Sequence, residues 1–160
     1  MAIVIPDGDA RRLLSMSECM DAMEVAFRDY ALGKAISLPR VRYRTPTSDP
    51  QRTYFANVHV GAVPSYSMAC VRAGSMCLLD DGSQPGRKVL SNPEPVNWTI
   101  IILYALAPAE PLALMHESHL SGFRVGATTG TAVKAVSRAD AATLGLFGTG
   151  RQARAHLDAI

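Results

Sequence analysis

Ala142-Thr143-Leu144-Gly145-Leu146-Phe147-Gly148-Thr149-Gly150-Arg151-Gln152-Ala153 is the stretch on which the fold turns. Its first half, Ala142 to Phe147, is a compact apolar run that predicts a buried strand. The second half has the Gly-x-Gly-x-x-Ala spacing of a dinucleotide-binding turn. Gly148 permits a tight bend, Gly150 lets a diphosphate approach the backbone, and Ala153 keeps helix and strand close. The free amides of the helix that opens there, at its positive dipole end, suit a phosphate pair. Gly148, Thr149, Gly150, Arg151, Gln152 and Ala153 are therefore the candidate cofactor-binding residues. A glycine-rich turn without a ligand can share this spacing; the strand before it and the helix after it favour the nucleotide. A ribose-reading residue is expected about 20 positions on. That position lies beyond Ile160, so the expectation is the front part of a longer protein.

Working back along the chain, Arg124 to Arg138 predicts a helix rich in small residues, in which Gly126 and Gly130 lower helicity but allow close packing. Pro111 to His116 and Trp98 to Leu106 predict the two strands of a hairpin around a turn at Ala107 to Glu110, the longer one apolar enough for burial on both faces. Asp80 to Pro95, rich in Gly, Pro, Ser and Asp, predicts a long loop. Met68 to Ala73 predicts a strand. Arg52 to Val60 alternates with Tyr54, Ala56, Val58 and Val60 on one face and Phe55, Asn57 and His59 on the other. The first clear helix starts at a Ser15-x-x-Glu18 capping box, carries Met16, Met20, Met23, Phe27 and Tyr30 at helical spacing, and ends at Gly33 in a left-handed cap. Such a methionine stripe is core far more often than a ligand box. The shift in composition near Arg138 is the candidate domain boundary.

Arginines supply the second chemical signal. Arg40, Arg42 and Arg44 alternate and so share a strand face at intervals of roughly 6–7 Å. A guanidinium holds a carboxylate through two parallel hydrogen bonds, but spacing alone favours a charged, solvated edge that resists aggregation. Arg72 interrupts an apolar strand and is costly to bury without a partner. Arg124, placed at a helix start, would oppose the helix dipole unless an anion lay nearby. Together Arg72 and Arg124 suggest an anionic ligand between them.

The totals exclude several classes. The chain has 160 residues, of which 48% are hydrophobic and 19% charged, with a net charge of +2; this suits an ordered domain and gives no basic field for nucleic acid. The N-terminus lacks a secretory pattern, and the most apolar run is about half the ~20 residues a spanning helix needs. Neither a membrane nor a nucleic-acid partner is expected, and the cytoplasm is the expected compartment. The three cysteines are widely spaced and suggest no disulfide framework or zinc knuckle. His116 and His119 miss the His-Glu-x-x-His spacing, so no metal site is expected. Lys134 reads as a solvated charge, and Asn97-Trp98-Thr99 as an idle glycosylation triplet.

Several segments, in order, carry a resemblance: Leu38-Pro39-Arg40, Met68 to Arg72, Glu110 to Leu114, Phe123 to Thr128 and Leu144 to Ala153. The chain resembles the ornithine cyclodeaminase/mu-crystallin family over nearly its whole length. The resemblance implies an α/β protein: an α+β lobe for substrate and dimer contacts (residues 1–138), then the first strand and helix start of a Rossmann domain (139–160). It implies a homodimer that binds NAD or NADP and moves a hydride to or from the carbon bearing an amino or imino group beside a carboxylate. By position, Arg40 and Arg124 match the arginines that hold the substrate carboxylate, Arg124 also lying against the cofactor. Arg72 stands where many members have a lysine associated with proton transfer, a task arginine performs poorly because it hardly deprotonates. That departure favours an amino-acid dehydrogenase or imine reductase over a cyclodeaminase. The family's catalytic acid would lie beyond Ile160, so no catalytic residue is assigned. A third expectation, from a different class, is a non-catalytic small-molecule binder, as mu-crystallin is for thyroid hormone.

Overall fold

The computed structural model describes residues 1–79, 89–90 and 97–160. Its elements are β1 (Ile3–Ile5), α1 (Asp7–Leu13), α2 (Met16–Ala31), β2 (Ile36–Ser37), β3 (Val41–Pro46), β4 (Arg52–Val63), β5 (Met68–Leu79), β6 (Val89–Leu90), β7 (Asn97–Ala105), β8 (Pro111–His116), α3 (His119–Val136) and α4 (Arg151–Ala159). The strands form one eight-stranded sheet in the order β1-β8-β7-β5-β4-β2, with β3 also on β4 and β6 on β5. All pairs are antiparallel except β1 with β8. The fold is the mixed α/β arrangement expected from the sequence. Most of the predicted loop from Asp80 to Pro95 lies outside the described residues; within it, Val89 and Leu90 pair with β5.

Antiparallel pairing puts directly opposed residues on the same face. The rung His59–Arg72–Ile101 and the next rung Gly61–Cys70–Leu103 therefore lie on one side of the sheet, the side on which α2 and α3 pack. Val58–Ala73–Ile100 and Val60–Val71–Ile102 lie on the other, where no described helix covers them.

Local chemistry explains α2. Its capping box is complete, with Glu18 N donating to Ser15 Oγ and Ser15 N to Glu18 Oε2, and Gly33 closes it at φ +68°. Asp29, buried near its end, accepts from Ser65 N at 2.9 Å and Ser65 Oγ at 2.8 Å, tying the helix to the turn between β4 and β5. The methionine stripe divides: the Met20 methyl lies against Gly130 of α3, whereas Met23, Phe27 and Tyr30 line an open cavity.

Three expectations are corrected. The helix predicted from Arg124 begins at His119, so Arg124 sits in its second turn rather than at its positive end. The early start has a distant cause: Asp7 Oδ1 accepts from Ser118 N at 2.9 Å and His119 N at 2.6 Å, capping amides that no local side chain satisfies. Second, β7 is not buried on both faces, since Trp98 is 62% exposed. Third, Ala142 to Phe147 forms no strand. An isolated apolar run cannot be a strand without a ladder partner for its amides and carbonyls, and no described strand lies beside this one. Phe147 is fully exposed. The helix predicted after it does form, as α4.

Small residues dock α4. A Cβ on Gly126 would collide with the Ala155 carbonyl oxygen, and one on Gly130 would lie 2.5 Å from that of Ala159. The two glycines of α3 thus let the helix backbones approach closely, as their placement predicts.

Candidate functional site

β3, β4, β5 and α3 bring Arg40, His59, Arg72 and Arg124 into one electrostatic neighbourhood. Arg40, just ahead of β3, donates from Nε to His59 Nε2. His59 faces Arg72 across the β4–β5 ladder. Burial, then the positive charges of Arg42, Arg72 and Arg124, lowers the Arg40 pKa. Burial and the charges of Arg40, Arg72, Arg42 and Arg124, in that order, hold the His59 imidazole below its ordinary value. The ring is therefore a neutral group among cations, and its Nε2 is an acceptor.

Arg72 needs no external anion. Its Nε and Nη2 reach Glu117 Oε2 at 2.9 and 2.8 Å, and its Nη1 reaches Asn57 Oδ1 at 3.3 Å. Glu117 is only 2% exposed, and its N–H donates to the Thr99 carbonyl at 2.7 Å. With Arg124 away from the helix start, the argument from two badly placed arginines fails in its original form. Convergence replaces it. Arg40 and Arg124 are exposed, and neither has an ion-pair partner among the described residues. Together with Arg72, balanced by Glu117, they leave an excess of positive charge around a neutral imidazole. Such an arrangement is chemically suited to a carboxylate.

Arg44 takes the plainer role. It lies on β3, which among the described residues pairs with β4 alone, and its guanidinium rests 5.5 Å above the Phe55 ring; Arg42, opposite Asn57 on the same strand, adds its charge to the cluster. His116 and His119 are likewise accounted for, stacked on Trp98 and Phe123; no group of three metal-ligating side chains occurs among the described residues. Lys134 lies 3.7 Å from Glu24 of α2.

His59 is the site residue that sequence reading missed. Alternation already placed it beside Phe55 and Asn57. The missing step was the register across the turn after Val63, which sets His59 opposite Arg72.

Beside this cluster lies an apolar cavity of about 540 Å³ between α2 and the sheet. Gly61, Cys70 and Leu103 form its floor, Met23 and Phe27 part of its roof, and Arg124 lies in its wall.

The glycine turn forms a separate feature. Gly148 adopts φ +98°, a conformation side chains rarely take. Nothing would crowd a Cβ at Gly148 or Gly150, so a ligand could approach the backbone there. Ala153 N already donates to the Gly150 carbonyl. Leu146, Phe147, Gln152 and His156 border a hollow of about 420 Å³ beside the turn. The buried His156 Nδ1 has no hydrogen-bond partner among the described residues. An open glycine bend feeding a nine-residue helix fits a diphosphate. Of the candidate set, the Arg151 side chain lies outside the described residues.

Comparison with known proteins shows the family. The model of the ornithine cyclodeaminase/mu-crystallin family matches residues 6–160. An alanine dehydrogenase of Archaeoglobus fulgidus is 31% identical over 161 residues, covering 99% of this chain and 44% of the relative. A Δ1-pyrroline-2-carboxylate reductase of Bacillus cereus is 28% identical over 160 residues, covering 99% and 45%. The solved structure of an archaeal alanine dehydrogenase dimer with bound NAD superposes with a TM-score of 0.76 at 26% identity, covering 99% of this chain and 44% of that one. The chain spans about half the length of the curated relatives it matches.

Proposed function

The chain belongs to the ornithine cyclodeaminase/mu-crystallin family, and from that premise we propose that the whole protein is an NAD(P)-dependent oxidoreductase acting on an amino or imino acid. The observation that carries this reading is the convergence of Arg40, Arg72 and Arg124 around His59. The relatives support it, being named as an amino-acid dehydrogenase and an imino-acid reductase.

In this reading Arg40 and Arg124 hold the substrate carboxylate, and Glu117 keeps the Arg72 guanidinium oriented toward the same place. Orientation of the α-carbon is the main contribution this half of the protein can make, and fixed geometry supplies a large share of many enzymatic accelerations. Gly148, Thr149, Gly150, Arg151, Gln152 and Ala153 hold the diphosphate of NAD or NADP. Bound there, the nicotinamide supplies a hydride donor or acceptor. Oxidation of an amine also releases a proton from nitrogen, and reduction of an imine requires one. Arginine cannot relay it; the neutral His59 can.

The organisation proposed is a substrate lobe over residues 1–138 and the start of a dinucleotide domain over 139–160. A homodimer is part of the proposal. The uncovered sheet face exposes Val41, Tyr43, Trp98, Ile100 and Leu114 together, and contiguous apolar faces of this kind mark protein contacts. No helix among the described residues is long and apolar enough to cross a membrane; the cytoplasm is the compartment proposed.

The test is Arg124→Ala in the full-length protein with NAD(P) and a panel of amino and imino acids. Loss of turnover is expected, and unchanged kinetics would retire the reading. Absorbance of the reduced nicotinamide should change stoichiometrically with turnover. A nucleotide pool that stays constant while ammonia is released would identify cyclodeamination instead.

A further inference from the structure

Strand register ties the apolar cavity to the cation cluster. His59, Arg72 and Ile101 form one rung of the sheet; Gly61, Cys70 and Leu103, two residues along each strand, form the next on the same face. A two-residue step is roughly 6.5–7 Å, about the reach from a carboxylate to the far end of an aromatic side chain. Arg124 belongs to both regions: it acts electrostatically on Arg40 and His59 and lines the cavity. A molecule whose carboxylate meets the arginines therefore has its side chain directed along β4 and β5 into the space beneath α2.

That space is built for carbon. Arg124 is the one charged side chain among the described residues lining it, and no Asp, Glu, His or Lys is present there. An ammonium placed against this lining would give up part of its hydration and face a cation, with no carboxylate among the lining residues to offset either cost. The volume, about 540 Å³, falls within the range of pockets that take whole small molecules. Ala26 and Ala35 line it with single methyl groups, leaving room that larger side chains would fill.

We propose that the cavity between α2 and the β4–β5–β7 surface is the side-chain pocket for the substrate, and that the substrate is an amino or imino acid with a bulky apolar side chain, branched aliphatic or aromatic. This rests on the oxidoreductase reading above and narrows it: substrates with a terminal amino group are selected against.

Equilibrium binding to the full-length protein tests it, by calorimetry with L-alanine, L-leucine, L-phenylalanine and L-ornithine, without turnover. Affinity should rise roughly tenfold or more from alanine to leucine or phenylalanine, since each added apolar group in such a pocket is worth about that factor, and ornithine should bind no better than alanine. Ala26→Phe, and independently Cys70→Leu, should collapse the ratio of leucine to alanine affinity. Ornithine binding as tightly as leucine overturns the proposal. So does a preference untouched by both substitutions, or loss of thermal stability in both without a change in selectivity, which would mean that another segment of the protein fills the cavity. Binding that Arg124→Ala abolishes but that shows no apolar preference sinks this proposal alone. Binding that is indifferent to Arg124→Ala sinks the clamp, and the pocket assignment with it.

Discussion

Arg72 and Glu117 form a two-point ion pair across 45 residues of sequence, with Glu117 almost wholly enclosed. Removing one member of a buried pair leaves the other charge desolvated without compensation, a larger loss than the pair's net worth. Glu117→Ala should therefore destabilise the protein by about 3 kcal/mol. Urea titration with an unchanged slope would show this as a lower midpoint; a midpoint within experimental error of the parent's would contradict it.

The Asp7 cap makes folding pH-dependent. Burial pushes the Asp7 carboxyl up, but hydrogen bonds from His119 and Ser118 and the charge and hydrogen bond of Arg11 outweigh it and leave the pKa below the usual value. A carboxylate whose folded pKa is depressed adds stability that is present above its unfolded pKa, about 4, and is lost as pH falls through the lower folded value. Asp7→Ala should cost about 1 kcal/mol at neutral pH and should flatten the acid limb of the stability profile. An equal acid slope in parent and variant would refute the cap's role.

Asp29 works in the same direction from another place. The Ser65 amide, then its hydroxyl, lower its pKa. Ser65→Ala should raise that pKa, measurable by carboxyl NMR titration, while Ser65→Thr, which keeps a hydroxyl, should raise it less.

For His59 the sign is reversed in chemical terms but not in linkage. Its depressed pKa, caused first by burial and next by Arg40, keeps the ring neutral in the folded state, so acid favours the unfolded chain. Arg40→Gln should raise the His59 pKa, and so should adding a carboxylate ligand to the parent protein. Imidazole proton shifts in NMR read both. A titration indifferent to Arg40 would remove His59 from the cluster.

Much of this molecule was legible in the sequence, and the exceptions share a cause. The capping box, the left-handed glycine and the alternating strands are local patterns, and they formed as expected. The start of α3 was misplaced because its cap, Asp7, comes from the far end of the chain. The partner of Arg72 was invisible because Glu117 approaches it through two further strands, and His59 was passed over because its meaning depends on register. Ala142 to Phe147 failed differently: its composition suits a strand, but a strand also needs a neighbour, and composition does not supply one. The resemblance had set Arg40 apart from Arg42 and Arg44, whereas only the folded ladder brings it to His59.

Gly126 and Gly130 have one more consequence. The helix that presents Arg124 is the same one whose glycines seat α4, and α4 opens at the Gly148–Gly150 bend. Helix-to-helix contact thus acts as a spacer gauge between the two ends of the proposed chemistry, the place where a carboxylate would be gripped and the place where phosphates would rest. A single methyl group at Gly126 would lengthen that gauge, spoiling the alignment of two ligands while touching neither.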